Sequence, residues 1–115
     1  VSRPIFVFGS NREGRHGKGA ALEARRKHGA VQGQAEGIQG MSYGIVTKEL
    51  RRNYPPVRLE EVRSGVLRFL AFAREHPELH FRVTAVGCGL AGFKRGQIWP
   101  MFEGRGANVE MLWSE

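Results

Sequence analysis

Apolar residues recur along this chain with two different periods. Residues 4–8 (Pro-Ile-Phe-Val-Phe) run apolar without a break, as in a strand covered on both faces in a parallel sheet, and the proline suits the strand's start. Residues 20–27 switch to helix formers. Ala20, Ala21 and Ala24 are small enough to pack close to a sheet, Arg25, Arg26 and Lys27 suit the negative end of the helix dipole, and Gly29 marks the stop. Residues 43–47 (Tyr-Gly-Ile-Val-Thr) are a short run with β-branched residues that predicts another strand. The longest signal covers 59–75, where Leu59, Val62, Val66, Leu70 and Ala73 recur every three or four residues and Phe69 widens the stripe. This amphipathic helix ends at His76-Pro77 and is expected to anchor the core.

Beyond it, residues 81–86 read as a second buried strand and 108–113 as the last one, with a short helix over 97–103 that accepts Pro100 only in its first turn. Residues 30–40, rich in Gly and Gln, predict an ordered loop with little regular structure, and 51–57, with Pro55-Pro56, an exposed connection. Strands alternating with helices predict an α/β fold: a three-layer α/β/α sandwich with a small, mainly parallel sheet of about four strands and right-handed crossovers. Parallel strands near 5–8, 43–47 and 82–86 would bring Asn11, Lys48 and Cys88 to one rim, at the carboxyl edge where such sheets bind ligands.

Composition narrows the choices. A chain of 115 residues with 41% apolar residues makes one domain, 1–115, with a real core. No apolar run approaches the ~20 residues of a membrane span and no apolar leader opens the chain, so a soluble, cytoplasmic protein without membrane association is expected. The single cysteine, Cys88, excludes an internal disulfide, and the four histidines lack ligand spacing, so neither a metal nor a cofactor is expected. A formal charge of +7 favours anionic partners, although the basic residues are spread along the chain. One absence is sharper: all eleven acidic residues are glutamates. Any mechanism that needs an aspartate is excluded.

The candidate chemistry lies in two glycine loops that follow buried strands. The first runs from Gly9, Ser10 and Asn11 through Gly14 and His16 to Gly17, Lys18 and Gly19; the second holds Gly87, Cys88, Gly89, Leu90, Ala91, Gly92 and Phe93. Glycines let backbone N–H groups approach a bulky anion, and a following helix start adds free N–H groups and a positive dipole end. Neither loop fits the P-loop or the dinucleotide fingerprint. Two such loops point to a phosphate-bearing ligand, with tight βα turns as the plainer alternative.

Three motifs resemble the macrodomain superfamily, whose members bind ADP-ribose and related NAD-derived ligands. His16-Gly17-Lys18-Gly19-Ala20-Ala21 is similar to the helix start that approaches the distal ribose. Ile45-Val46-Thr47-Lys48 is similar to the strand end that presents a nucleophilic lysine in the branch removing terminal ADP-ribose from proteins. Val86-Gly87-Cys88-Gly89-Leu90 is similar to that branch's diphosphate loop. The opening Phe-Val-Phe-Gly-Ser-Asn also resembles small macro-like proteins of bacteria and their phages. The resemblance implies that N–H groups of Gly87 to Leu90 hold the diphosphate, that Gly17 to Gly19 line the ribose, and that Asn11 bonds a ribose hydroxyl. It also implies that Lys48 attacks the ribose C1″, which needs a neutral amine and so would need a pKa lowered by burial or by nearby Arg12, Arg15 or Lys18. The implied partner is ADP-ribose or a related nucleotide, free or on a modified protein or nucleic acid.

The chain departs from that pattern at Ala91, where the lysine-using branch has an aspartate, and it lacks the aspartate that reads adenine. Glu13, Glu36 or Glu49 could substitute only if a loop brought one into the cleft, and Glu49, next to Lys48 in an extended chain, should face away. His16 is a candidate proton donor or phosphate contact, or a loop histidine without a role. Cys88 fits packing better than nucleophilic attack, since no histidine partner can be assigned to it. Phe93, Trp99 and Trp113 are candidates for stacking on adenine. Three functions follow: hydrolysis of ADP-ribosyl adducts, a non-catalytic nucleotide reader, or, ranked last, nucleic-acid binding through a basic surface.

Overall fold

The computed structural model describes residues 3–115. Strand β1 (Ile5–Asn11) forms the centre of a five-stranded sheet. On one side it pairs in parallel with β3 (Ser42–Lys48), which carries β2 (Gly37–Gln39) antiparallel at the edge; on the other it pairs in parallel with β4 (Phe81–Val83), which is followed by parallel β5 (Val109–Met111). Successive side chains of a strand point to opposite faces, and β1 uses both. Ile5 and Val7 join one core cluster, while Phe6 and Phe8 face another.

Helix α2 (Leu59–Glu75) covers the first face through Val62, Gly65, Val66, Phe69, Leu70 and Ala73, the stripe read from the sequence plus one glycine, with Leu59 only half-buried at its start. Phe69 meets Tyr43, Phe81 and Phe102 edge-on, at ring-centroid distances of 5.0, 5.3 and 6.3 Å. Burying each large apolar side chain here contributes ~1.5–3 kcal/mol before the entropy of ordering it is subtracted. Helix α1 (Gly19–Lys27) covers the second face with Ala21 and Ala24 against Phe8. The three layers are thus α2, sheet and α1, as the alternation of elements predicts.

Several boundaries differ. The Gly- and Gln-rich segment contributes the fifth strand, β2, because a three-residue edge strand is too short to show a period. Strand β4 ends at Val83 instead of 86, and β5 is confined to Val109–Met111. At the end of β4 the Thr84 hydroxyl donates to the Val7 carbonyl at 2.7 Å, and Val86 N–H turns back onto the Thr84 carbonyl. The predicted 97–103 helix is two pieces, α3 (Arg95–Ile98) and a 3₁₀ turn (Trp99–Phe102). Pro100 sits in the first turn of the second piece, where its missing N–H is harmless.

Candidate functional site

Because β1, β3 and β4 run parallel, their carboxyl ends open at one edge, and a cleft of about 590 Å³ lies there. Gly9, Ser10 and Asn11 enter from the end of β1. Gly17, Lys18 and Gly19 follow, with Ala20 and Ala21 in the first turn of α1. Thr47, Lys48 and Leu50 come from the end of β3, and Val86, Gly87, Gly89, Leu90 and Ala91 from the second loop. The strand ends close tightly: a Cβ on Gly9 would lie 3.2 Å from both the Gly87 nitrogen and Thr47 Oγ1. Helix α1 starts at this wall with an extended residue, Lys18, before it and no acid in its first turn. Its first N–H groups therefore lack a side-chain cap, the arrangement that accepts an anion.

The first loop is braced from below. Asn11 Nδ2 donates to the Arg15 carbonyl at 2.7 Å, and Arg15 N–H donates to Asn11 Oδ1 at 2.9 Å. The carboxamide expected to meet a ribose hydroxyl thus holds the loop with both its polar atoms. Gly14 lies outside the cleft lining. Its φ of +68° and the position of its absent Cβ, which would fall 2.5 Å from the Gly33 carbonyl carbon, dock the loop on the 33–34 backbone. His16 is likewise outside the lining and fully buried, edge-on to Phe8 at 5.2 Å. Its Nε2 lies 3.1 Å from both the Gln34 carbonyl and Gln39 Oε1, and its backbone N–H donates to Gln32 Oε1 at 3.0 Å. This burial removes the access that a proton donor or phosphate contact would need.

Gln39 completes the brace, accepting from Val31 N–H at 2.9 Å while its amide donates to the Gln34 and Gly37 carbonyls. The Gln-rich stretch, read as a plain loop, is the floor beneath the first glycine loop. Its composition was the available signal, because Gln at a buried position needs partners and a loop's backbone supplies them.

Lys48 lines the cleft, and its ammonium donates to the Leu90 carbonyl at 3.2 Å. The next residue points away, as strand alternation requires. The Glu49 side chain is 2% exposed and takes Arg12 Nη1 at 3.1 Å and two nitrogens of Arg51 at 3.0 Å. Hydrogen bonds from Arg51, with a further one from Arg12, hold its carboxyl down at about 2. Arg12 also donates to Glu61 at 2.8 Å and to the Pro55 carbonyl at 2.6 Å, pinning the proline-containing connection to α2. Arg12 is therefore committed away from Lys48. Glu36 pairs with Arg68, and Glu13 lies near Arg15 and Arg51, so none of the three candidate glutamates lines the cleft.

In the second loop, Gly92 N–H donates to the Gly89 carbonyl and Phe93 N–H to the Gly87 carbonyl, which folds residues 87–93 into a tight turn. Cys88, Gly92 and Phe93 fall outside the lining; Cys88 and Phe93 pack against the main core. Burial pushes the Cys88 thiol up, away from the thiolate that attack requires. Trp99 and Trp113 pack edge-on against each other at 5.2 Å and also lie outside it. Among the described residues, the lining contains three cations, Arg15, Lys18 and Lys48, with no carboxylate and no aromatic ring.

No protein-family model and no curated protein matches the sequence. Solved structures do match. The macrodomain of Mycobacterium tuberculosis DarG superposes with a TM-score of 0.66 at 17% identity, covering 96% of this chain and 89% of that one. The macrodomain of Thermus aquaticus DarG gives 0.64 at 20% identity, with 98% and 91% covered. A Bacteroides thetaiotaomicron protein of unknown function gives 0.61 at 18% identity, with 97% and 90% covered. At such identities the likeness is one of architecture, and what it establishes is that this chain has a macrodomain-like fold.

Proposed function

We propose that the cleft binds ADP-ribose or a related NAD-derived nucleotide. The observation that carries this reading is the convergence of two glycine loops and the uncapped start of α1 on one cleft of about 590 Å³ lined by three cations. That volume is in the range of sites for ligands of nucleotide size. Backbone N–H groups and cations suit a diphosphate, and the macrodomain-like fold supports ADP-ribose as its bearer. The test is calorimetric titration with ADP-ribose beside AMP and a short oligonucleotide at two salt concentrations. Micromolar ADP-ribose binding is expected. Salt-steep oligonucleotide binding without it would favour a nucleic-acid module.

The position of Lys48 on the lining favours a second reading, hydrolysis of ADP-ribosyl adducts. In that step the neutral amine attacks C1″ and the acceptor carboxylate departs with its bonding pair. One N–H proton passes to the ring oxygen as the ring opens and an iminium forms at C1″; water then adds to C1″ and the C–N bond breaks, releasing ADP-ribose and restoring Lys48. Among the described residues the lining holds no carboxylate to serve the amine as an acid–base partner, which weighs for binding without turnover. Reductive trapping of ADP-ribose on Lys48, lost in Lys48→Ala, separates the two: trapping supports the hydrolase, and intact binding without trapping supports the reader.

A further inference from the structure

The polar side chains around the cleft divide into committed groups and cations. Asn11 spends its carboxamide on the Arg15 backbone, and the Thr47 hydroxyl donates to the Ser10 carbonyl at 3.2 Å. The Ser10 hydroxyl is buried and points to the Asn11 carbonyl. What remains is Arg15, Lys18 and Lys48, all positive, together with glycine and alanine backbone, the buried Val86 and two leucines, Leu50 and Leu90, that are 43% and 65% exposed. A protein reads a nucleobase by donors and acceptors on its edge, Arg and Lys on guanine among them, or by an aromatic ring or a guanidinium plane against its face. Among the described residues, the lining offers neither a carboxylate or uncommitted carboxamide for an edge nor a ring for a face.

Resting on the ligand reading above, we infer that this site selects the ribose-diphosphate portion of its ligand and is indifferent to the base. Its substrate class is then nucleoside-diphosphate ribose in general. The three cations and the backbone N–H groups are taken up by the anionic part, so none of them is left to read the base. The base lies on Leu50 and Leu90, and an aliphatic surface accepts a purine or a pyrimidine through burial alone.

Competition titration tests this, using ADP-ribose, its guanine and uracil counterparts, ribose 5-phosphate and pyrophosphate. The three nucleotide sugars should bind within about fivefold of one another, with ribose 5-phosphate weaker than all three. Arg15→Ala and Lys18→Ala should weaken the three by a common factor. A preference for adenine over guanine or uracil of about 30-fold or more, the scale of one good edge contact, would overturn the inference and leave the ADP-ribose reading standing. A base-dependent response to Arg15→Ala would also overturn it. No binding by any nucleotide sugar would remove both.

Discussion

The Lys48 ammonium meets the Leu90 backbone carbonyl at 3.2 Å, tying the end of β3 to the second glycine loop. A ligand diphosphate entering between these loops competes with the carbonyl for the cation, and a full anion is the stronger partner. Lys48→Met keeps the aliphatic stem and removes the charge. Affinity for ADP-ribose should fall about tenfold, the worth of one charge-assisted contact of ~1.5 kcal/mol, with the melting temperature nearly unchanged. Titration that returns the wild-type affinity would refute a role for the amine in binding.

Gly89 permits a clean blocking test. A Cβ placed there meets nothing within 4 Å, and the residue's φ is not positive, so Gly89→Val should fold normally. Its side chain would stand in the space assigned to the diphosphate. ADP-ribose binding should weaken by about 30-fold or more while stability stays within ~0.5 kcal/mol. Calorimetry and thermal melts read the two effects separately.

Gln39 supports a prediction about positioning. Gln39→Ala removes the acceptor for Val31 N–H and one of the two partners of His16 Nε2, both beneath the glycine loop. Leaving buried polar groups unpaired costs ~1–3 kcal/mol, which lowers the melting temperature by several degrees. Amide hydrogen exchange should quicken at Gly14 to Gly17 and stay unchanged in α2. Unchanged protection in the loop would show that Gln39 is not its brace.

Glu49 gives a pH dependence. Its carboxyl is held at about 2 against an ordinary 4.5, so its ion pairs contribute stability that is fully present above 4.5 and lost as pH falls through 2. Glu49→Gln should be less stable than wild type at neutral pH, and the difference should close between 4.5 and 2. Urea unfolding across that interval checks it; a gap constant with pH would mean that the charge on Glu49 does not matter.

The sequence reveals much of the frame because local pattern and burial agree there. The α2 stripe from Leu59 to Ala73, the unbroken run of β1 and the turn of Glu49 away from Lys48 are all read from periodicity. The two glycine loops are visible as loops, and most of their residues line the cleft. Hidden were facts that depend on distant partners. Nothing local in Asn11 shows that its carboxamide closes on Arg15, and nothing in His16 shows three glutamines beneath it. Arg15 and Leu50 reach the cleft through loop geometry that no period encodes.

Mapping amide chemical shifts while ADP-ribose is added to the whole chain addresses the cleft assignment most directly. The largest changes should fall at residues 17–21, 87 and 89–91, which line the cleft. Changes centred elsewhere, such as around Tyr54 or on the exposed face of α2, or no changes at millimolar ligand, would contradict the placement of the ligand between the two glycine loops.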